Sequence, residues 1–168
     1  MNFLNILLIF TAVTGGIYDL TCRKIPNWLT FGSFFLALSF NLLFFKTIDS
    51  IFNCLLGFVL GLALLIIPYI LGGMGAGDVK FLAAIGSLVG VRDVVSIFLY
   101  SAVCGMILGI LWLAFNPKRL KFLVVTGQIS PVVDNKQKVP YGIAILMGTL
   151  LYVIPGINNF ICNILLWK

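Results

Sequence analysis

The chain has 168 residues, 61% of them apolar and 10% charged, with a mean hydropathy of +1.16 and a net charge of +6. So few charges cannot coat a water-soluble body of this size, which excludes a soluble domain and predicts a single-domain, all-α integral membrane protein with a bundle of about six transmembrane helices. The positive charge lies in short connections, so it reads as topology and contact with anionic membrane lipid, with no nucleic-acid partner.

A bilayer span takes about 20 apolar residues at ~1.5 Å rise each. The first apolar run covers residues 3–18. No Lys or Arg precedes it, so it reads as a retained helix and not as a secretory signal. Arg23 and Lys24 follow, then a second run over 28–45. Lys46 and Asp49 separate this from a third run, 51–71, in which Pro68 is expected to kink the end toward a glycine-rich loop. The fourth apolar run, 79–91, is short, but a helix begun at Gly75 reaches about 25 Å. Arg92 and Asp93 form the next connection, before a fifth run over 94–115.

The long connection 116–140 carries Lys118, Arg119, Lys121, Lys136 and Lys138. Within it, 120–125 and 129–133 have some strand character but read more plainly as a solvated connector. The sixth run starts at 141–154, and 157–167 either extends it beyond Pro155-Gly156 or lies at the interface. The positive-inside rule puts the first, third and fifth connections in the cytoplasm and both termini outside. Trp28, Trp112, Tyr141 and Trp167 fall near span ends, where aromatic rings favour the interface.

Glycines four apart recur at Gly57/Gly61, Gly86/Gly90 and Gly105/Gly109. Such pairs let helices meet backbone to backbone, within this chain or, alternatively, across a homodimer. Cys22, Cys54, Cys104 and Cys162 form no C-x-x-C pair, so they read as small packing residues, with Cys22 in an accessible loop.

The sequence contains no His and no Glu. This excludes Ser-His-Asp and Cys-His mechanisms and a His-based zinc site. Any carboxylate chemistry falls to Asp19, Asp49, Asp78, Asp93 and Asp134. Asp49 and Asp93 read as N-caps of the third and fifth helices, and Asp134-Asn135 as a turn. Asp19 and Asp78 remain, both at the cytoplasmic ends of apolar segments and at nearly the same depth. The plainer readings are an interfacial charge facing Arg23 or Lys24 for Asp19, and a helix cap or a partner of Lys80 for Asp78. The sharper reading is a dyad that shares a proton, one carboxylate acting on a bound water and the other as acid, with no metal or cofactor. A rival class is a small proton- or cation-coupled transporter using the same aspartates.

Three segments carry a resemblance. Asp19-Leu20-Thr21-Cys22-Arg23-Lys24-Ile25-Pro26-Asn27-Trp28 resembles the first catalytic segment of prepilin peptidases, and Gly75-Ala76-Gly77-Asp78 their G-x-G-D motif. Val139-Pro140-Tyr141-Gly142 is similar to the segment that opens their last helix. The resemblance implies a membrane aspartic endopeptidase with Asp19 and Asp78 as catalytic residues. Its implied substrate is a type IV pilin-like precursor, whose leader is cut after a glycine at the cytoplasmic face of a prokaryotic plasma membrane. The short form looks most like Tad-type peptidases that process Flp-like pilins, and methyltransferase activity is not expected, because the first helix runs straight from the chain's start into Asp19.

The neighbouring residues suit that role. Ile25-Pro26 is expected to be extended. Asn27 reads as the cap of the second helix, with a site-shaping role as the alternative. Gly75 and Gly77 either shape the loop or leave room for a substrate backbone beside Asp78. Lys80 is either a counter-charge or a contact for the pilin's polar segment.

Overall fold

The computed structural model describes residues 3–22, 25–45, 47–71, 74–115 and 141–154. These form six helices: α1 (Phe3–Cys22), α2 (Asn27–Phe40), α3 (Ile48–Ile70), α4 (Ala76–Val89), α5 (Val91–Ala114) and α6 (Tyr141–Val153). A π-helical turn over Asn41–Phe45 prolongs α2. Each described apolar run is a helix because in lipid every backbone polar group must be satisfied within its own segment. Four segments, Leu4–Cys22, Asn27–Phe44, Ile48–Ile70 and Val91–Leu111, are long and apolar enough to cross a membrane. Their outward faces carry large exposed apolar side chains such as Phe10, Phe35, Leu43, Ile67 and Ile110, which suit contact with lipid.

The helices α1, α2, α3, α5 and α6 form a ring around α4, each touching its ring neighbours and α4. Every residue of α4 from Phe81 to Leu88 is buried. A helix that is apolar on all sides belongs in a core. The expected fourth helix is present, beginning at Ala76 rather than Gly75: α4 has 14 residues, about 21 Å long, and it need not match the bilayer because other helices shield it from lipid.

Close contacts follow the glycines. A Cβ on Gly57 would fall on the Gly86 carbonyl, and one on Gly61 would lie 2.7 Å from the Ala83 Cα, so α3 and α4 meet backbone to backbone. Gly57, Gly61 and Gly86 are thus used inside the chain, whereas a Cβ at Gly109 would meet nothing within 4 Å. Gly148 of α6 packs against the backbone of Ser101 in α5. Several buried hydroxyls donate to their own helices: Ser33 to the Leu29 carbonyl at 2.7 Å, Ser101 to Ile97 at 2.7 Å and Thr149 to Ile145 at 2.8 Å.

Several local expectations change. The α4–α5 connection is Gly90 alone, and Arg92 and Asp93 lie in the first turn of α5. Asp93 is therefore not the residue before the helix. Asn53 instead caps α5 from α3, accepting the Val91 N–H at 3.1 Å. Thr47, not Asp49, occupies the N-cap position of α3, and Asp49 sits in the first turn, where a negative charge suits the helix dipole. The helix α3 continues through Pro68 to Ile70. The half-buried ring of Tyr141 lies against Gly105 of α5. The expectations for Arg23, Lys24, Lys46, Asp134, Cys162, Trp167 and the connection 116–140 lie outside the described residues.

Candidate active site

Asp19 lies in the last turn of α1 because helical backbone continues past the apolar run to Cys22. It is 6% exposed, which excludes an exposed interfacial charge. Its Oδ2 accepts the backbone N–H of Gly142 at 2.7 Å. Gly142 is the second residue of α6, and the first four N–H groups of a helix have no intrahelical acceptor. The carboxylate takes up one of these donors at the positive end of the helix dipole. The approach requires a glycine: a Cβ at position 142 would stand 2.7 Å from Asp19 Oδ2 and 2.8 Å from its Cβ.

Asp78 lies in the first turn of α4 and is 8% exposed. Its Oδ2 accepts the N–H of Gly75, the N-cap residue, at 3.1 Å. The cap anticipated as a plainer role for Asp78 is therefore present. Lys80, by contrast, donates to Asn27 Oδ1 at 3.3 Å and stands 5.8 Å from the centre of the Phe31 ring. That corrects the reading of Asn27 as a cap: Pro26 holds the N-cap position of α2 in an extended conformation, and the Asn27 amide ties α2 to α4.

The two carboxylates occupy the same end of adjacent helices. Gly15 of α1 packs against the Phe81 ring of α4. Asp19 lies four residues beyond Gly15, and Asp78 three residues before Phe81. Side chains three or four apart share a helix face, so each carboxylate sits about one turn past the same contact, toward the same end. The first turn of α6 faces both: Gly142 bonds Asp19, and Tyr141 lies within electrostatic reach of Asp78. Among the described residues, no group of three or more acidic, Cys or His side chains could hold a metal ion.

A family model described as the type IV leader peptidase family matches residues 6–110, a stretch containing both Asp19 and Asp78. The chain belongs to the type IV leader peptidase family. Among curated proteins it is similar to a prepilin leader peptidase/N-methyltransferase of Bacillus subtilis (strain 168), at 32% identity over 152 residues, covering 89% of this chain and 53% of that protein. It is also similar to the protein of the same name from Xanthomonas campestris pv. campestris, at 32% identity over 113 residues, covering 64% of this chain and 39% of that protein. The chain thus spans about half the length of the first relative or less of the second. No solved structure matches it significantly.

Within this leader-peptidase family member, the two motif glycines are not forced by backbone geometry. Among the described residues only Gly90 has a positive φ. Gly75 is extended at φ −86° and ψ 150°, and Gly77 lies in the first turn of α4. Sequence reasoning missed Gly15, Phe81 and Gly142. For Gly142 a signal was present: Pro140 marks a helix start, and a helix start offers unpaired N–H donors. For the Gly15–Phe81 contact no signal exists in one sequence, because it depends on which helices are neighbours.

Proposed function

We propose that this chain is a membrane-embedded aspartic endopeptidase that removes the leader from type IV, Flp-like prepilins at the cytoplasmic face of the bacterial inner membrane, cutting after a glycine. The observation that carries the reading is the burial of Asp19 and Asp78 one turn past the Gly15–Phe81 contact, at one end of adjacent helices. Membership of the leader peptidase family supports it.

Two neighbouring carboxylates cannot both ionise easily, so they hold one proton between them. The ionised member takes a proton from a bound water as its oxygen attacks the scissile carbonyl. The protonated member gives its proton to the carbonyl oxygen. The tetrahedral gem-diol then collapses: its C–N bond breaks, the leaving amine takes the proton that the first carboxylate gained from water, and a diol hydroxyl gives its proton to the other carboxylate, which restores the singly protonated dyad. The products are a carboxyl terminus on the leader and a free amine on the pilin. The substrate's apolar helix stays in the bilayer, and its polar leader reaches the site from the cytoplasm.

The test is to incubate the purified chain in nanodiscs with a prepilin precursor and to weigh the products. One cut after a glycine is expected. Asp19→Asn and Asp78→Asn are each expected to lower cleavage by about 10³-fold or more, while the proteins still insert and accumulate. Normal processing by either variant would remove the dyad.

A further inference from the structure

We propose that Gly142 is a positioning residue for this reaction: its backbone N–H, fixed by the Tyr141 ring seated against Gly105, holds the Asp19 carboxylate in its working orientation. The inference rests on the peptidase reading and adds a group from α6, outside the segment 6–110 that the family model matches.

Three observations on three helices support it. First, the bond from the Gly142 N–H to Asp19 Oδ2 is 2.7 Å long and buried, so water does not compete for it. It joins residues 123 positions apart, linking the last turn of α1 to the first turn of α6. Second, the fit has no slack on the α1 side. A Cβ at position 142 would come within 2.9 Å of three atoms of Asp19, and one on Gly16 would lie 3.1 Å from Leu146 Cβ, so α1 and α6 stay in contact one turn deeper. Third, the start of α6 is braced from the other side. A Cβ on Gly105 would lie 2.5 Å from Tyr141 Cε2, so the ring fills the space that glycine leaves on α5.

A helix start is normally the part of a helix that frays. Here it carries the donor that orients a proposed catalytic carboxylate, and a ring wedged into α5 limits its movement. Proton transfer needs heavy atoms at about 2.6–3.2 Å, so a displacement of about 1 Å at the carboxylate is felt in the chemical step more than in substrate binding. The Tyr141 ring does this by packing, so its hydroxyl is dispensable in this role.

The test measures kcat and KM for cleavage of a synthetic precursor, spanning leader and apolar helix, by the full chain in nanodiscs. Gly142→Ala is expected to lower kcat by about 100-fold, with KM within about twofold of wild type. Tyr141→Ala is expected to move kcat in the same direction, and Tyr141→Phe to restore it. Gly109→Val, at a position with nothing within 4 Å, is the control and keeps wild-type values. Wild-type kcat in Gly142→Ala, or a rise in KM with kcat unchanged, overturns the inference. If Gly142→Ala does not accumulate, the Tyr141 pair decides: equal activities for Tyr141→Ala and Tyr141→Phe overturn it. A wild-type chain that leaves the precursor intact sinks the peptidase reading instead.

Discussion

Gly15 in α1 lies against the ring of Phe81 in α4, so closely that a Cβ at position 15 would stand 3.1 Å from Phe81 Cε1 and overlap the ring's far edge. The fully buried ring cannot swing away without leaving a void in the central helix. This contact sets the separation of the helices that carry Asp19 and Asp78. Gly15→Ala is expected to destabilise the protein by about 1–3 kcal/mol through overpacking and to reduce cleavage as the carboxylates move apart. Gly32→Ala, where the added Cβ would meet nothing within 4 Å, is the matched control. Thermal unfolding in detergent and precursor cleavage check both; equal melting temperatures for the two variants would show that the contact does not set the helix spacing.

The turn at Gly90 makes a separate demand. Its φ is 89° and its ψ −178°, a region almost closed to residues with a Cβ. The space beside it is also taken, because a Cβ there would lie 2.9 Å from Asn53 Cγ. Gly90→Ala is therefore expected to cost about 3 kcal/mol, measured as a fall in melting temperature. Asn53→Ala, which removes the acceptor for the Val91 N–H, is expected to cost about 1 kcal/mol. Gly90 lies at the end of α4 away from Asp78, so residual activity at low temperature should survive in both.

All six helices were legible as apolar runs, because a lipid-facing helix cannot hide its composition. Their ends were not. Hydropathy stops at Tyr18, yet α1 continues to Cys22, and this extension places Asp19 inside helical backbone. The caps assigned to Asp49, Asp93 and Asn27 failed for one reason: each lies one to three residues inside its helix, and the capping group comes from elsewhere or is absent. A single residue cannot announce a donor or acceptor on another helix. Asp19 and Asp78 stood out because the other three carboxylates had plainer roles as caps or a turn, and a catalytic role for the pair was what the family resemblance implied. Their setting needed the structure, because the contacts Gly15–Phe81, Gly142–Asp19 and Lys80–Asn27 join helices distant in sequence.

The membrane orientation can be read from Cys22. Expected in a loop, it is the exposed last residue of α1, three positions after Asp19. A chain with Cys54, Cys104 and Cys162 replaced by Ala keeps this thiol alone. A membrane-impermeant maleimide is expected to label it in inverted vesicles and to leave it unlabelled in intact spheroplasts. The reverse pattern would turn the protein over and carry the carboxylates to the outer face. A chain that keeps only the buried Cys54 should label on neither side until it is denatured.

Gly77 separates what the fold requires from what a substrate requires. A Cβ there would meet Ile25 at 3.5 Å, an ordinary contact, and its backbone is helical. Alanine is also a better helix former than glycine by about 1 kcal/mol. The resting fold therefore accepts Gly77→Ala, and the melting temperature should hold or rise. The added methyl, however, lies next to Ile25, on the residue immediately before Asp78. If an extended precursor backbone lies in that space, its approach to Asp78 is blocked, and kcat/KM should fall at least about tenfold, which corresponds to about 1.4 kcal/mol of transition-state binding. A Gly77→Ala chain with unchanged kcat/KM would take Gly77 out of the substrate path and leave its place in the motif to local backbone packing alone.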